Sequence, residues 1–373
     1  MSPPEAGGRL KARLIAEIAA EGPMRVSAYM ARCLFDPLDG YYATRPALGE
    51  AGDFVTAPLV SQMFGELIGL WAAETWARLG SPARFVLAEM GPGDGTLMAD
   101  LLRAGRAAPG FLAAAEVWLV EASGPLQALQ SARLEGAGVH WAATLDELPG
   151  DAPLVLLSNE LLDCLPTDQF VRGADGRWAE RRVGLAPTGD DLAFGLAALP
   201  RDFAPPAAWA DAPPGAVVEV SAAARALGEA VGRRLAAAGG AALFIDYGAL
   251  DVSPGDTLQA LRRHRKEPPL AGPGEADLTV HADFASLLAG ARAAGAATPP
   301  GLAQGAFLLR LGIEARAAAL AARHPHAAER LGRQLDRLVS DDQMGALFKA
   351  VAICSNALQA PGFDEPPMTA TPP

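Results

Sequence analysis

The chain has 373 residues, half of them hydrophobic, which is enough apolar material for one large domain or a core with a second lobe and excludes global disorder. Its 31 Lys and Arg stand against 43 Asp and Glu, a net charge of -12, and such a field repels a phosphate backbone, so nucleic-acid binding is disfavoured. Cys33, Cys164 and Cys354 form no Cys-x-x-Cys pair, so no disulfide framework is expected and a reducing compartment is.

From the N-terminus, Leu10, Leu14, Ile15 and Ile18 recur at helical spacing within residues 8–33, and Gly22-Pro23 interrupts the pattern. Glu5, Glu17 and Glu21 count against a transit peptide, and the start lacks the basic-then-apolar profile of a secretory signal. No apolar run approaches the roughly 20 residues of a membrane span. A cytoplasmic protein without membrane insertion is therefore expected. An aromatic and glycine-rich loop from Tyr41-Tyr42 to Phe54 leads to a long helix over about 59–79, ended by Gly80-Ser81-Pro82.

Beyond Pro82 short apolar strands alternate with helices. Strands are expected at 85–88, 117–120, 139–141 and 154–157, with helices over about 96–104 and 125–134. That alternation predicts an α/β fold with a parallel, doubly wound sheet. The regularity fails over 168–220, where a hairpin is expected around Gly173-Ala174-Asp175-Gly176. It resumes with an Ala-rich helix over 221–238 and a strand at 242–245, is interrupted again over 251–280, and ends in helices and a last strand at 348–353. The sequence thus divides into an N-terminal helical segment (1–80), the first half of the core (81–167), a cap insertion (168–220), a core helix and strand (221–250), a second insertion (251–280) and C-terminal helices with the last strand (281–373). The basic run Arg262-Arg263-His264-Arg265-Lys266 reads as a solvated face or as a docking patch for an acidic partner. His324 and His326 flank Pro325 with no further ligand at metal spacing, so no metal site is expected.

The chemistry concentrates between Phe85 and Glu121. An apolar strand runs into Gly91, Gly93 and Gly95, and a helix opens immediately after. Glycines let the backbone turn sharply and approach a ligand closely, and the helix start supplies free N–H groups. The spacing is one residue shorter than the dinucleotide fingerprint, whose third glycine would fall at Thr96. Glu121 ends the next strand, where a carboxylate can accept hydrogen bonds from both hydroxyls of a ribose. Glu89, two residues ahead of the turn, suits the cationic end of S-adenosylmethionine and would repel a pyrophosphate. A methyl donor therefore fits better than NAD.

Several further segments occur in order around this turn: Gly49-Glu50-Ala51-Gly52-Asp53-Phe54-Val55-Thr56-Ala57-Pro58 with Phe64-Gly65-Glu66, then Glu89 to Thr96, Ser158-Asn159-Glu160-Leu161-Leu162-Asp163-Cys164-Leu165-Pro166, and Phe244-Ile245-Asp246-Tyr247-Gly248. Gly274 to Thr279 with Asp283-Phe284, Gln304-Gly305 with Phe307-Leu308, and Met344-Gly345 with Phe348-Lys349 continue the series. Together they resemble the MidA-type methyltransferases, the family that includes the mitochondrial complex I assembly-factor arginine methyltransferase and its bacterial relatives. The resemblance spans about 25–355. It implies a Rossmann-like class I methyltransferase core and S-adenosylmethionine as cofactor. It further implies symmetric dimethylation of an arginine in a protein partner such as a peripheral-arm subunit of complex I. Leu161-Leu162 and Cys164 depart from the family's usual residues on the substrate side.

Methyl transfer to a guanidinium requires carboxylates that hold its charge and assist proton loss. Glu160, Asp163 and Asp246 are the candidates; Glu160 and Asp163, three apart, would share a helix face, and helix capping is the alternative role for Asn159, Glu160 and Asp163. Asn159 is counted with the cofactor-binding residues. Asp53 and Thr56 are candidates for a lid over the cofactor, or for a plain turn at Gly52. A methyltransferase of another substrate and a cofactor-binding assembly chaperone remain as alternatives; the intact Glu89, Gly91, Gly93, Gly95 and Glu121 set favours catalysis over the chaperone.

Overall fold

The computed structural model describes residues 6–44, 56–200, 203, 205, 206, 209–262, 264–356 and 358–364. Contacts divide the chain into two compact units: Val55–Leu161, Leu227–Gly248 and Leu288–Pro373 in one, Met1–Phe54, Leu162–Ala226 and Ala249–Leu287 in the other.

The first unit is the core. Its strands are β1 (Phe85–Met90), β2 (Ala115–Val120), β3 (His140–Ala142), β4 (Leu154–Asn159), β5 (Gly240–Tyr247), β6 (Leu302–Ala303) and β7 (Phe348–Cys354). They lie in the order β6-β7-β5-β4-β1-β2-β3. β1 to β5 run parallel, while β7 runs antiparallel beside β5 and β6 antiparallel beside β7. Chain order reverses between β1 and β4, which is where an open α/β sheet binds its ligand, beyond the strands' carboxyl ends. All six residues of β1 and all six of β4 are buried, as expected of central parallel strands covered on both faces.

Three helices position the turn after β1: α1 (Gln62–Arg78), α2 (Thr96–Gly105) and α3 (Gly124–Arg133). α1 and α2 touch backbone to backbone, since a Cβ on Gly69 would stand 2.9 Å from the Leu101 carbonyl oxygen and one on Gly65 would stand 2.6 Å from the Asp100 Cβ. Glu66, buried on α1, pairs with Arg103 at 3.1 Å and with Arg316 at 2.7 Å. The Phe64-Gly65-Glu66 segment is therefore architectural: it fixes α2, and with it the start of that helix.

The second unit holds a five-stranded sheet of Met24–Arg25, Asp168–Arg172, Trp178–Leu185, Leu192–Ala197 and Val217–Val220, and a three-stranded one of Gln259–Arg262, Arg265–Glu267 and Asp277–Thr279. The expected hairpin forms, with Arg172 opposite Trp178. Phe170, Trp209 and Val218 make its small core. The Arg13 guanidinium, 2.7 Å from Asp36, holds that carboxyl at about 2 and ties the helix Ala6–Glu21 to the end of the helix Val26–Phe35.

One expectation is corrected here. Residues 160–164 do not form an α-helix: Glu160 takes a left-handed backbone (φ +53°), and only Leu162–Cys164 makes a short 3-10 turn. Glu160 and Asp163 therefore share no α-helix face. No helix of the described residues is long and apolar enough to cross a membrane.

Candidate active site

Gly91, Gly93 and Gly95 all adopt positive φ (67°, 56° and 81°), a region that side chains with a Cβ occupy only at a cost. The Gly95 N–H donates to the Pro92 carbonyl at 2.8 Å, closing the turn, and Gly95 is the residue from which α2 starts. Asp94 accepts from the Thr96 N–H at 3.0 Å and pairs with Arg133 at 2.9 Å. A Cβ on Gly91 would meet the Leu161 side chain at 3.0 Å, so the departure at position 161 packs against the turn itself.

Two carboxylates flank the turn. Glu89 is 2% exposed, and its Oε2 has no hydrogen-bond partner among the described residues. Burial pushes its carboxyl well above the usual range; the Asp94 charge adds to this, and a bond from the Met98 backbone opposes it. Glu121 directly follows β2 and accepts from the Ser123 N–H at 2.7 Å, while burial raises its pKa as well.

Gln130 was not among the residues expected to matter. It is fully buried on α3, donates from Nε2 to the Gly93 carbonyl at 2.8 Å, and accepts at Oε1 from the Trp141 indole at 2.9 Å. Its Nε2 also lies 3.4 Å from Glu121 Oε2. The sequence does carry a signal for it: Gln130 stands four residues from Leu126 and four from Leu134, a polar residue on an apolar stripe.

At the end of β4, Asn159 Nδ2 and the Ala57 backbone N–H both donate to Glu160 Oε1, each at 3.1 Å. Asn159 Oδ1 is buried without a partner among the described residues. The Glu160 N–H donates to the Ile245 carbonyl at 2.9 Å, which sets Glu160 beside the end of β5 and next to Asp246. Asp246 is fully buried and accepts from the Tyr247 N–H at 2.8 Å. The Thr56 carbonyl accepts from the Leu59 and Val60 N–H groups, and the Thr56 side chain makes no capping bond.

Thr56, Glu89, Gly91, Gly93, Gly95, Glu121, Asn159, Glu160 and Asp246 thus all belong to the core unit, and Glu89, Glu121, Asn159, Glu160 and Asp246 stand at the carboxyl ends of parallel strands. Asp163 belongs to the other unit, where it is 7% exposed and its carbonyl accepts from the Val280 N–H; burial raises the Tyr42 hydroxyl there, and the charges of Asp277 and Asp163 add to it. Asp53 lies outside the described residues. All three cysteines are buried, and burial pushes the Cys33 and Cys354 thiols up to about 12, which removes them as nucleophiles. A cavity bordered by Trp71, Trp76, Arg78, Arg310 and Asp364 shares no residue with the glycine turn.

The family model for S-adenosyl-L-methionine-dependent methyltransferases matches residues 67–302, from α1 to β6. The chain belongs to that family. It is 34% identical to the mouse protein arginine methyltransferase NDUFAF7, mitochondrial, over 91% of this chain and 83% of that protein. The human and Drosophila melanogaster counterparts are each 33% identical, over 91% and 95% of this chain and 82% and 86% of their own lengths. Among solved structures, a Burkholderia thailandensis protein bound to S-adenosyl-homocysteine is 33% identical with a TM-score of 0.83, covering 96% of this chain and 95% of that one. This methyltransferase uses S-adenosylmethionine on the Rossmann-like α/β fold expected from its sequence.

The expected cytoplasmic location is overturned by the same relatives, whose names place them in mitochondria. Cysteine spacing and a few glutamates are compatible with more than one compartment and could not decide between them.

Proposed function

We propose that this methyltransferase acts on the guanidinium of an arginine in a protein partner, giving symmetric dimethylarginine, with a subunit of respiratory complex I as the partner class. The observation that carries this reading is the pair of acidic residues at the ends of adjacent parallel strands, Glu160 anchored to the Ile245 carbonyl and Asp246 immediately after it. The identity to relatives named protein arginine methyltransferases, over more than nine-tenths of the chain, supports the same acceptor.

The residues present fit the cofactor. Glu89 Oε2, buried and unpartnered among the described residues, offers an acceptor to a cationic group, and Glu121 offers one to ribose hydroxyls. Gly91, Gly93 and Gly95 leave backbone where side chains would stand, and Asn159 Oδ1 is a second buried acceptor nearby. Thr56 borders the site through Ala57 as a lid candidate. When bound, S-adenosylmethionine supplies an activated methyl group on its sulfonium. The protein's part is to orient the acceptor nitrogen, exclude water and localise the guanidinium charge. Glu160 and Asp246 take that last role, and Glu160 receives the proton that the nitrogen sheds.

Mass spectrometry of methylarginine in respiratory subunits, from cells with and without this protein, tests the reading. Loss of a dimethylarginine in a complex I subunit supports it; an unchanged methylarginine pattern overturns it.

A further inference from the structure

A fully buried amide is costly unless each of its polar atoms finds a partner, and an apolar residue at position 130 would extend the stripe of Leu126 and Leu134 without that cost. Gln130 is nevertheless a glutamine with three partners. The Trp141 indole N–H is a donor only, so the group it meets at 2.9 Å must be the Gln130 oxygen. The amide orientation is thereby set, and the Nε2 must face the other way, onto the Gly93 carbonyl at 2.8 Å and towards Glu121 Oε2 at 3.4 Å. One side chain therefore joins β3, the middle of the glycine turn and the strand-end carboxylate. The turn also approaches α3 closely here, since a Cβ on Gly95 would stand 3.5 Å from the Gln130 Cα.

We infer that Gln130 is a positioning residue for the cofactor: clamped by Trp141, it holds the Gly93 carbonyl and the Glu121 carboxylate in the relative placement that ribose binding needs. This rests on the reading that Glu121 binds the ribose. Gln130 touches none of the reacting atoms and acts through its two partners. The Ser123 N–H fixes the other Glu121 oxygen at 2.7 Å, so the carboxylate is held from both sides only while Gln130 keeps its orientation.

The test compares Gln130→Glu, Trp141→Phe and Glu121→Ala, with S-adenosylhomocysteine titrated by calorimetry and turnover measured separately. Gln130→Glu keeps the shape but sets a carboxylate against a carbonyl and a second carboxylate. Its Kd should rise about tenfold or more at neutral pH. The deficit should shrink as pH falls, because a protonated acid regains a donor. The other charges around this point are Glu121 itself and the Asp94–Arg133 pair; Glu121 faces the new carboxylate directly, so the pH dependence is read as that of the two carboxyls together. Turnover at saturating cofactor should stay near wild type, a KM effect without a kcat effect. Trp141→Phe frees the amide to rotate and should weaken binding several-fold with no such pH dependence, and it remains informative if Gln130→Glu does not fold.

If both variants bind within about twofold of wild type while Glu121→Ala is weakened, Gln130 merely fills space and the inference falls with the Glu121 reading intact. A pH-independent loss in Gln130→Glu accompanied by a lowered melting temperature overturns it too. If Glu121→Ala binds like wild type, the Glu121 reading fails and takes the inference with it.

Discussion

Glu160→Gln separates the catalytic reading of the β4 end from a structural one. Two N–H groups, from Ala57 and from the Asn159 side chain, reach the same Glu160 oxygen at 3.1 Å. A hydrogen bond to a charged group contributes about 1.5–3 kcal/mol and one to a neutral group about 0.5–1.5, so the amide should cost about 1 kcal/mol per bond, or about 2 in stability. The left-handed backbone at φ +53° costs a residue with a Cβ about 1–2 kcal/mol and is kept in this variant. Glu160→Gly removes that strain but also the two remaining bonds, about 1–3 kcal/mol together, so it should be about as stable as Glu160→Gln or somewhat less. Turnover should move independently of stability. Without the Glu160 carboxylate to share the guanidinium charge and take the proton, it should fall about 10²-fold in both variants, about 2.7 kcal/mol in the barrier. The assays are single-turnover methylation of the accepting subunit, thermal unfolding, and calorimetry with S-adenosylhomocysteine, whose affinity should stay near wild type. Wild-type turnover in Glu160→Gln would refute the assignment. Glu160 would then be an anchor for residue 57, and Asp246 would inherit the role.

Glu121→Ala should weaken cofactor binding by about 1–3 kcal/mol and recover most turnover at saturating cofactor, since a ribose contact is made equally in ground and transition states; a kcat defect that saturation does not repair would contradict it. Gly93→Val should abolish cofactor binding, because a branched Cβ meets a backbone at φ +56° and fills space beside the ligand; unimpaired calorimetric binding would remove the turn from the site. Glu89 has its pKa raised by burial, so the folded protein without cofactor holds that proton more tightly than the unfolded chain. The stability this lends is complete below the unfolded value of about 4.5 and is lost as pH rises through the folded one. A cation bound beside Glu89 favours its charged form, so binding should release a proton and strengthen as pH rises towards the folded pKa. Calorimetry in two buffers of different ionisation enthalpy should show that release, and Glu89→Gln should abolish it; identical heats in both buffers for the wild type would contradict the pairing.

The core was legible because its strands are short apolar runs bounded by turn residues, and because three alternating glycines between a strand and a helix leave few other conformations. Glu89 and Glu121 could be placed from their position relative to that turn alone. The end of β4 could not be read in the same way. Nothing local marks Glu160 for a left-handed backbone; bonds to Ile245 and Ala57, far away in sequence, accompany it, and without them a helix start was the natural expectation. Gln130 escaped notice because its three partners lie on separate elements. The second unit is assembled from segments such as Met24, which pairs with Val183, and a pairing between strands so far apart leaves no periodic trace. The two residues of β6 are too few to show a pattern at all.

The most direct measurement of the central claim is methyl transfer from a deuterium-labelled S-adenosylmethionine. Purified protein is incubated with labelled cofactor and an extract from cells lacking it, and labelled peptides are identified by mass spectrometry. The account predicts label on arginine in a protein, as symmetric dimethylarginine, and none with Glu160→Gln over the same time. Label confined to another residue type or to small molecules would contradict it.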